Sequence, residues 1–112
     1  MTAEKKPAIL EGVRIIDLTS IIFGPLATQM LGDLGADVIK VETPSGDPLR
    51  AQGEKVNDFS WYYAAYNRNK MSVALDMRTP EGIEVLKKTE KHIITYLRPR
   101  PLESLGTWAQ LF

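Results

Sequence analysis

The sequence predicts an α/β domain, a parallel β-sheet with flanking helices. Three observations lead there. Short runs rich in Val, Ile and Leu, over 13–18, 38–41, 72–75 and 93–96, alternate with segments of helical periodicity. Gly and Pro mark the boundaries of those runs. The 112 residues are 44% hydrophobic and 25% charged, which is room for one core and one domain.

Residues 1–8 are polar and are expected to be a flexible lead-in, with the domain over 9–112. Val13, Ile15, Ile16 and Leu18 form a first strand suited to burial on both faces. Gly24-Pro25 opens a helix, with Pro at its first position, where a missing N–H costs nothing. Leu26, Ala27, Met30, Leu31 and Leu34 share one helical face and are expected to point at the core. Gly35 suits a left-handed cap, after which Ala36, Val38, Ile39 and Val41 form a second strand. Strand, helix and strand make a right-handed βαβ crossover.

Turn formers fill 43–48, and 49–58 has no period, which reads as a surface excursion: a ligand-contacting loop or a connector. Phe59, Trp61, Tyr62, Tyr63 and Tyr66 follow. They suit a short helix on the sheet edge, a stacking platform or a subunit contact. Asn67-Arg68-Asn69-Lys70 reads as a polar turn before a strand with Val73 and Leu75 on one face. Thr79 is a helix N-cap, with Pro80 and Glu81 in the first turn and Ile83, Val85 and Leu86 as the apolar face. Ile93 and Ile94 start a last strand. Arg98 to Pro101 turn, Leu102 and Leu105 suit a short helix stopped by Gly106, and Trp108, Leu111 and Phe112 suggest a surface that meets another segment.

Fourteen basic residues balance fourteen acidic ones, so no net field favours nucleic acid. No apolar run is long enough for a membrane span and no secretory leader opens the chain, so the expected location is cytoplasmic. There is no cysteine, and His92 is the only histidine, so no metal site is expected. There is no nucleophile elbow and no glycine-rich phosphate loop, and Gly32 and Gly35 lie too late for a dinucleotide fingerprint. What remains is cation placement. Arg78, Arg98 and Arg100 follow successive strands and should share one sheet edge, either as a phosphate-binding rim or as a solvated one.

Several ordered strings also carry a resemblance: LEGVRIIDLT from Leu10, Gly24-Pro25, LGADVIKVE from Leu34, NRNK from Asn67, SVALD from Ser72, TPEG from Thr79, LRPR from Leu97 and LESLG from Leu102. Together they resemble the opening part of the family III CoA-transferases, the CaiB/BaiF group, over nearly the whole chain. The resemblance implies a Rossmann-like fold and an interlocked homodimer. It implies CoA transfer from an acyl-CoA to a carboxylic acid acceptor through aspartyl intermediates, with CoA as substrate and no tightly bound cofactor. It places Ile21, Ile22 and Phe23 beside the CoA thiol end, Leu75, Asp76, Met77 and Arg78 along the CoA, and Tyr96, Leu97 and Arg98 on a further contact segment.

The sequence departs from the family pattern at Thr43, where relatives often carry arginine, at Tyr96 in place of asparagine, and in a short 89–92 stretch. The resemblance implies a nucleophilic aspartate beyond residue 112, so no catalytic residue is assigned. Three roles stay open: the CoA-binding part of an enzyme, inactive alone; a non-catalytic acyl-CoA or nucleotide-binding module; or an assembly partner completing a separate remainder.

Overall fold

Ten elements follow one another along the computed structural model, which describes residues 7–89 and the backbone of 93–95. They are β1 (Arg14–Asp17), α1 (Phe23–Asp33), β2 (Asp37–Glu42), a 3-10 turn (Pro48–Ala51), β3 (Lys55–Val56), β4 (Phe59–Ser60), α2 (Trp61–Asn67), β5 (Lys70–Ala74), α3 (Pro80–Lys88) and β6 (Ile93–Thr95). The main sheet runs β5-β2-β1-β6, with every pair parallel. The chain builds outward from β1 and then crosses back to its other side. This is the doubly wound order of a Rossmann-like sheet, as expected.

Side chains alternate across a strand, so register decides what each face carries. Ile15 lies opposite Val38, Ile16 opposite Ile39 and Asp17 opposite Lys40. One face packs Ile15, Ala36 and Val38 against Leu31 of α1. The other packs Ile16 and Val41 against Leu86 of α3, with Leu18, Ile39, Leu75 and Met77 around them. Asp17, Lys40 and Glu42 fall on the α1 face beyond its apolar patch, joined by Lys70 and Ser72 of β5, which pair with Val38 and Lys40.

That charged patch explains why α1 departs from its expected form. The helix starts at Phe23, two residues before Pro25, and turns Thr28 and Gln29 inward while Leu26, Met30 and Leu34 are 37%, 59% and 43% exposed. Thr28 Oγ1 donates to Asp17 Oδ2 (2.6 Å), and Gln29 Nε2 donates to the Ala65 carbonyl of α2 (2.8 Å). A buried carboxylate needs donors more than methyl contacts, so Leu26, Met30 and Leu34 face out, while Leu31 still packs on the sheet. The C-terminus is as expected. Gly35 takes φ 100°, and the Ala36 and Gly35 N–H groups close on the Leu31 and Gly32 carbonyls.

The 49–58 stretch is more than an excursion. Leu49 is fully buried, and β3 and β4 form a hairpin whose two turn residues, Asn57 and Asp58, both take positive φ. The aromatic stretch is the end of that hairpin plus α2, capped by Ser60 Oγ, which accepts from the Tyr63 N–H (3.2 Å). Tyr63 is buried, while Phe59, Trp61 and Tyr62 are at least half exposed. Lys70 is no turn residue. It begins β5, and its side chain is buried. The predicted features at 90–92 and 96–112, including His92, Arg100 and the terminal aromatics, lie outside the described residues.

Candidate functional site at the carboxyl ends of the strands

The carboxyl ends of β1 and β2 open into a pocket of about 310 Å³. Leu18, Thr19 and Ser20 form one wall, Thr43, Ser45 and Gly46 the other, and Met77 arrives from the segment after β5. Doubly wound sheets bind ligands in this crevice because their loops converge there. The volume falls in the range of small-ligand pockets.

The pocket rests on three ion pairs. Lys70 Nζ lies 2.9 Å from Asp17 Oδ2, with both side chains at most 1% exposed. Lys40 Nζ lies 2.7 Å from Asp47 Oδ2, both 1% exposed. Arg50 forks onto Glu42, its Nε and Nη2 both 2.7 Å from the carboxylate oxygens. Such charges are tolerated inside only when their remaining lone pairs and protons are satisfied. Asp17 accepts from the Thr19 N–H (2.9 Å), from Thr19 Oγ1 and from Thr28 Oγ1. Lys70 Nζ also donates to the Pro25 carbonyl (2.9 Å) and to Asn67 Oδ1 (3.0 Å). Glu42 further accepts from Tyr63 Oη (2.7 Å), Ser72 Oγ (2.6 Å) and the Asp47 N–H (2.7 Å). The Arg50 guanidinium also stacks on the Tyr63 ring, 3.8 Å from its centre.

Burial opposes ionisation of Asp17, but the hydrogen bonds from Thr19 and Thr28 and the Lys70 ammonium outweigh it and hold the carboxyl below its ordinary value. Burial likewise opposes ionisation of Glu42. Arg50, Ser72, Tyr63 and the Asp47 N–H overcome it and hold Glu42 well below the usual carboxylate range. Burial and then the Glu42 charge push the Tyr63 phenol above its ordinary value. For Lys70, burial lowers the ammonium pKa more than the Asp17 charge raises it.

A carboxylate with a depressed folded pKa stabilises the fold above its unfolded value and loses that contribution as pH falls through the folded one. Here the unfolded values are 3.8 for Asp17 and 4.5 for Glu42. A pH series of urea melts should show these two contributions intact above about pH 5 and failing below about pH 4. A loss centred near neutrality would contradict the assignment.

The loop after β1 folds back tightly on the start of α1. A Cβ on Gly24 would sit 2.4 Å from the Thr19 Cβ, an atom next to the backbone that cannot swing away. Gly24→Ala should therefore displace Thr19 in the 18–20 wall and destabilise the fold by about 1–3 kcal/mol in urea melts, as overpacked sites do. An unchanged midpoint would mean that the wall yields freely.

Within that loop Ile21 takes φ 71°. The left-handed region is a true outlier for a β-branched residue, costing about 1–3 kcal/mol. Its N–H points at the Asp47 carboxylate, 3.3 and 3.4 Å from the two oxygens.

Of the residues expected at the site, Ile21, Ile22 and Phe23 form this turn and the first residue of α1, with Phe23 85% exposed. Leu75, Asp76, Met77 and Arg78 follow β5. Leu75 N–H still donates to the Glu42 carbonyl, and Met77 lines the pocket. Arg78 is not a free cation. Its Nε, Nη2 and backbone N–H all hold the Asp76 carboxylate at 3.0–3.1 Å on the surface. Tyr96, Leu97 and Arg98 lie outside the described residues. Lys40, Asp47 and the hydroxyl-bearing walls were not anticipated. The available signal was a charge at the end of each apolar run, Asp17 on β1 and Lys40 and Glu42 on β2. Among the described residues no cluster of His, Asp or Glu could hold a metal ion, and no helix is long and apolar enough to cross a membrane.

The sequence model for CoA-transferase family III matches residues 10–107. The chain belongs to CoA-transferase family III. Among individual family III relatives, succinyl-CoA:glutarate CoA-transferase of Mus musculus is 52% identical over 81 residues, which cover 70% of this chain and 19% of the relative. Succinyl-CoA--D-citramalate CoA-transferase of Chloroflexus aurantiacus is 38% identical over 99% of the chain and 29% of its own length. A solved CaiB/BaiF family protein from Brucella suis superposes with a TM-score of 0.77 at 35% identity, over 92% of this chain and 29% of that one. The chain thus spans less than a third of each of these family III relatives.

Proposed function

We propose that this chain supplies the coenzyme A-binding wall of an enzyme that moves CoA from an acyl-CoA to a carboxylic acid, and that the nucleophilic aspartate comes from sequence beyond it. The observation that carries the reading is the pocket where β1 and β2 end, walled by 18–20 and 43–46 and bordered by Met77, in a family whose named relatives are CoA-transferases. Ile21–Phe23 would lie at the thiol end, and Leu75–Arg78 with Tyr96–Arg98 along the nucleotide. The state of the aspartates supports an outside nucleophile. Five of the six aspartates, Asp17, Asp33, Asp37, Asp47 and Asp76, are each held in an ion pair, and the sixth, Asp58, lies in the exposed turn of the β3–β4 hairpin, outside the pocket lining. Acyl transfer through a carboxylate needs an oxygen free to attack the thioester. CoA is substrate in this reading, and no resident cofactor is invoked. The exposed Phe23, Leu26, Met30 and Leu34 on and beside α1 favour a surface covered by further protein, as in an interlocked homodimer.

Calorimetric titration with CoA, paired with incubation in labelled acyl-CoA and a free acid, tests the reading. The expected result is binding without turnover. In a full-length context, Arg78→Ala, whose guanidinium must turn from Asp76 to reach the ligand, and Arg98→Ala should each weaken binding by about 1–3 kcal/mol, as for hydrogen bonds to charged groups, and more at low salt than at high. A hydroxylamine-sensitive acyl adduct on any aspartate here would overturn the assignment of the nucleophile, and absence of CoA binding would overturn the site.

A further inference from the structure

We propose that the buried Lys40–Asp47 pair is a positioning pair, which holds Ile21 in its left-handed turn and so fixes the loop wall that meets acyl-CoA. The inference rests on the acyl-CoA reading of the pocket. Glycine or asparagine would take φ 71° with little strain, yet position 21 carries a β-branched isoleucine. Its neighbours must therefore impose the turn, and two contacts do so. The Asp47 carboxylate accepts the Ile21 N–H at 3.3 and 3.4 Å, and Lys40 Nζ donates to the carbonyl of Thr19, two residues earlier, at 3.2 Å.

The two ends of one ion pair thus grip the loop at and before the strained residue. Asp47 is itself fixed. Its N–H donates to Glu42 Oε2 (2.7 Å), and its Oδ1 accepts from the Leu49 N–H (2.9 Å). A buried pair gains little over two apolar side chains of the same volume. Apolar side chains could not tether a backbone N–H and a carbonyl together. Lys40 and Asp47 also line the pocket, next to the wall they hold.

The test uses the intact protein that carries this sequence. Lys40→Met with Asp47→Ser removes both charges together, so no ion is left unpaired. Serine still caps the Leu49 N–H but is too short to reach Ile21. Two quantities are read: exchange protection of the Ile21 amide without ligand, and CoA affinity by calorimetry. The doubly substituted protein should lose the protection and bind CoA about tenfold more weakly, in proportion to the strain released. Adding Ile21→Gly should restore most of the affinity, because glycine holds a left-handed φ unaided.

Retained protection, unchanged affinity, or failure of Ile21→Gly to restore binding would each overturn the proposal. A parent protein that does not bind CoA overturns the acyl-CoA reading instead, and amide protection then still decides whether the pair holds the turn. If that double substitution prevents folding, Lys40→Gln with Asp47→Ser, which again leaves no ion unpaired, is read in the same two ways with and without Ile21→Gly.

Discussion

Asp17→Ala should destabilise the fold by about 3–5 kcal/mol, the usual cost of stranding a buried charge. The carboxylate is fully buried and receives the Thr19 N–H, two threonine hydroxyls and the Lys70 ammonium. Removing it leaves a lysine that is 1% exposed without its counter-ion. A second substitution separates this cost from ordinary cavity formation. Lys70→Met in the same background removes the stranded charge and should recover much of the loss. The two effects should be strongly non-additive, as for groups in one network. Urea midpoints of the two single variants and the double variant decide it. Additive losses would mean that the pair is not coupled.

Glu42→Leu should cost a comparable amount, about 3–5 kcal/mol, for a different reason. Leucine preserves most of the volume but accepts nothing. The Asp47 N–H, Tyr63 Oη and Ser72 Oγ all lose their acceptor at once. Arg50 is the partner that matters less. Arg50→Ala should cost less, about 1–3 kcal/mol, because the buried Glu42 carboxylate keeps the Tyr63, Ser72 and Asp47 donors and water can enter the space left by a side chain that is 40% exposed. The ordering is the test: a loss at Arg50 equal to that at Glu42 would show that the fork, and not the hydroxyls and amide, carries the stability. The same carboxylate ties β2, β5 and α2 together, so its loss should also loosen the floor of the pocket.

Much of the fold was legible in the sequence because the apolar runs and their caps agree with one another. Thr79, Pro80 and Gly35 stand where local chemistry demands them, and the four parallel strands fall on the four expected runs. The face of α1 was not legible. Periodicity reports which residues share a side, and the assumption that the apolar side faces inward fails where the sheet beneath carries Asp17 and Lys70. The start of α1 was misread because proline is tolerated anywhere in a first turn, whose N–H groups have no partner within the helix.

The pocket was legible only as a place, the carboxyl ends of the strands. Lys40 and Asp47 are seven positions apart and meet only through the turn between them, so no spacing rule pairs them. Arg78 was expected on a cationic rim at the sheet edge, and spacing alone does not reveal that Asp76, two residues earlier, holds its guanidinium.

The strand order has a consequence for how the chain is made. Among the described strands β1 leaves the ribosome first and lies inside the sheet, yet one of its neighbours, β6, comes last. At about 5–20 residues per second, the flank of Ile15 and Ile16 that awaits Ile93 and Ile94 stays unpaired for several seconds. Through that interval the nascent chain offers an open edge on β1, the kind of edge that pairs with foreign strands. Synthesis that pauses before residue 93 prolongs this exposure, and with it the time during which the edge of β1 is open to foreign strands.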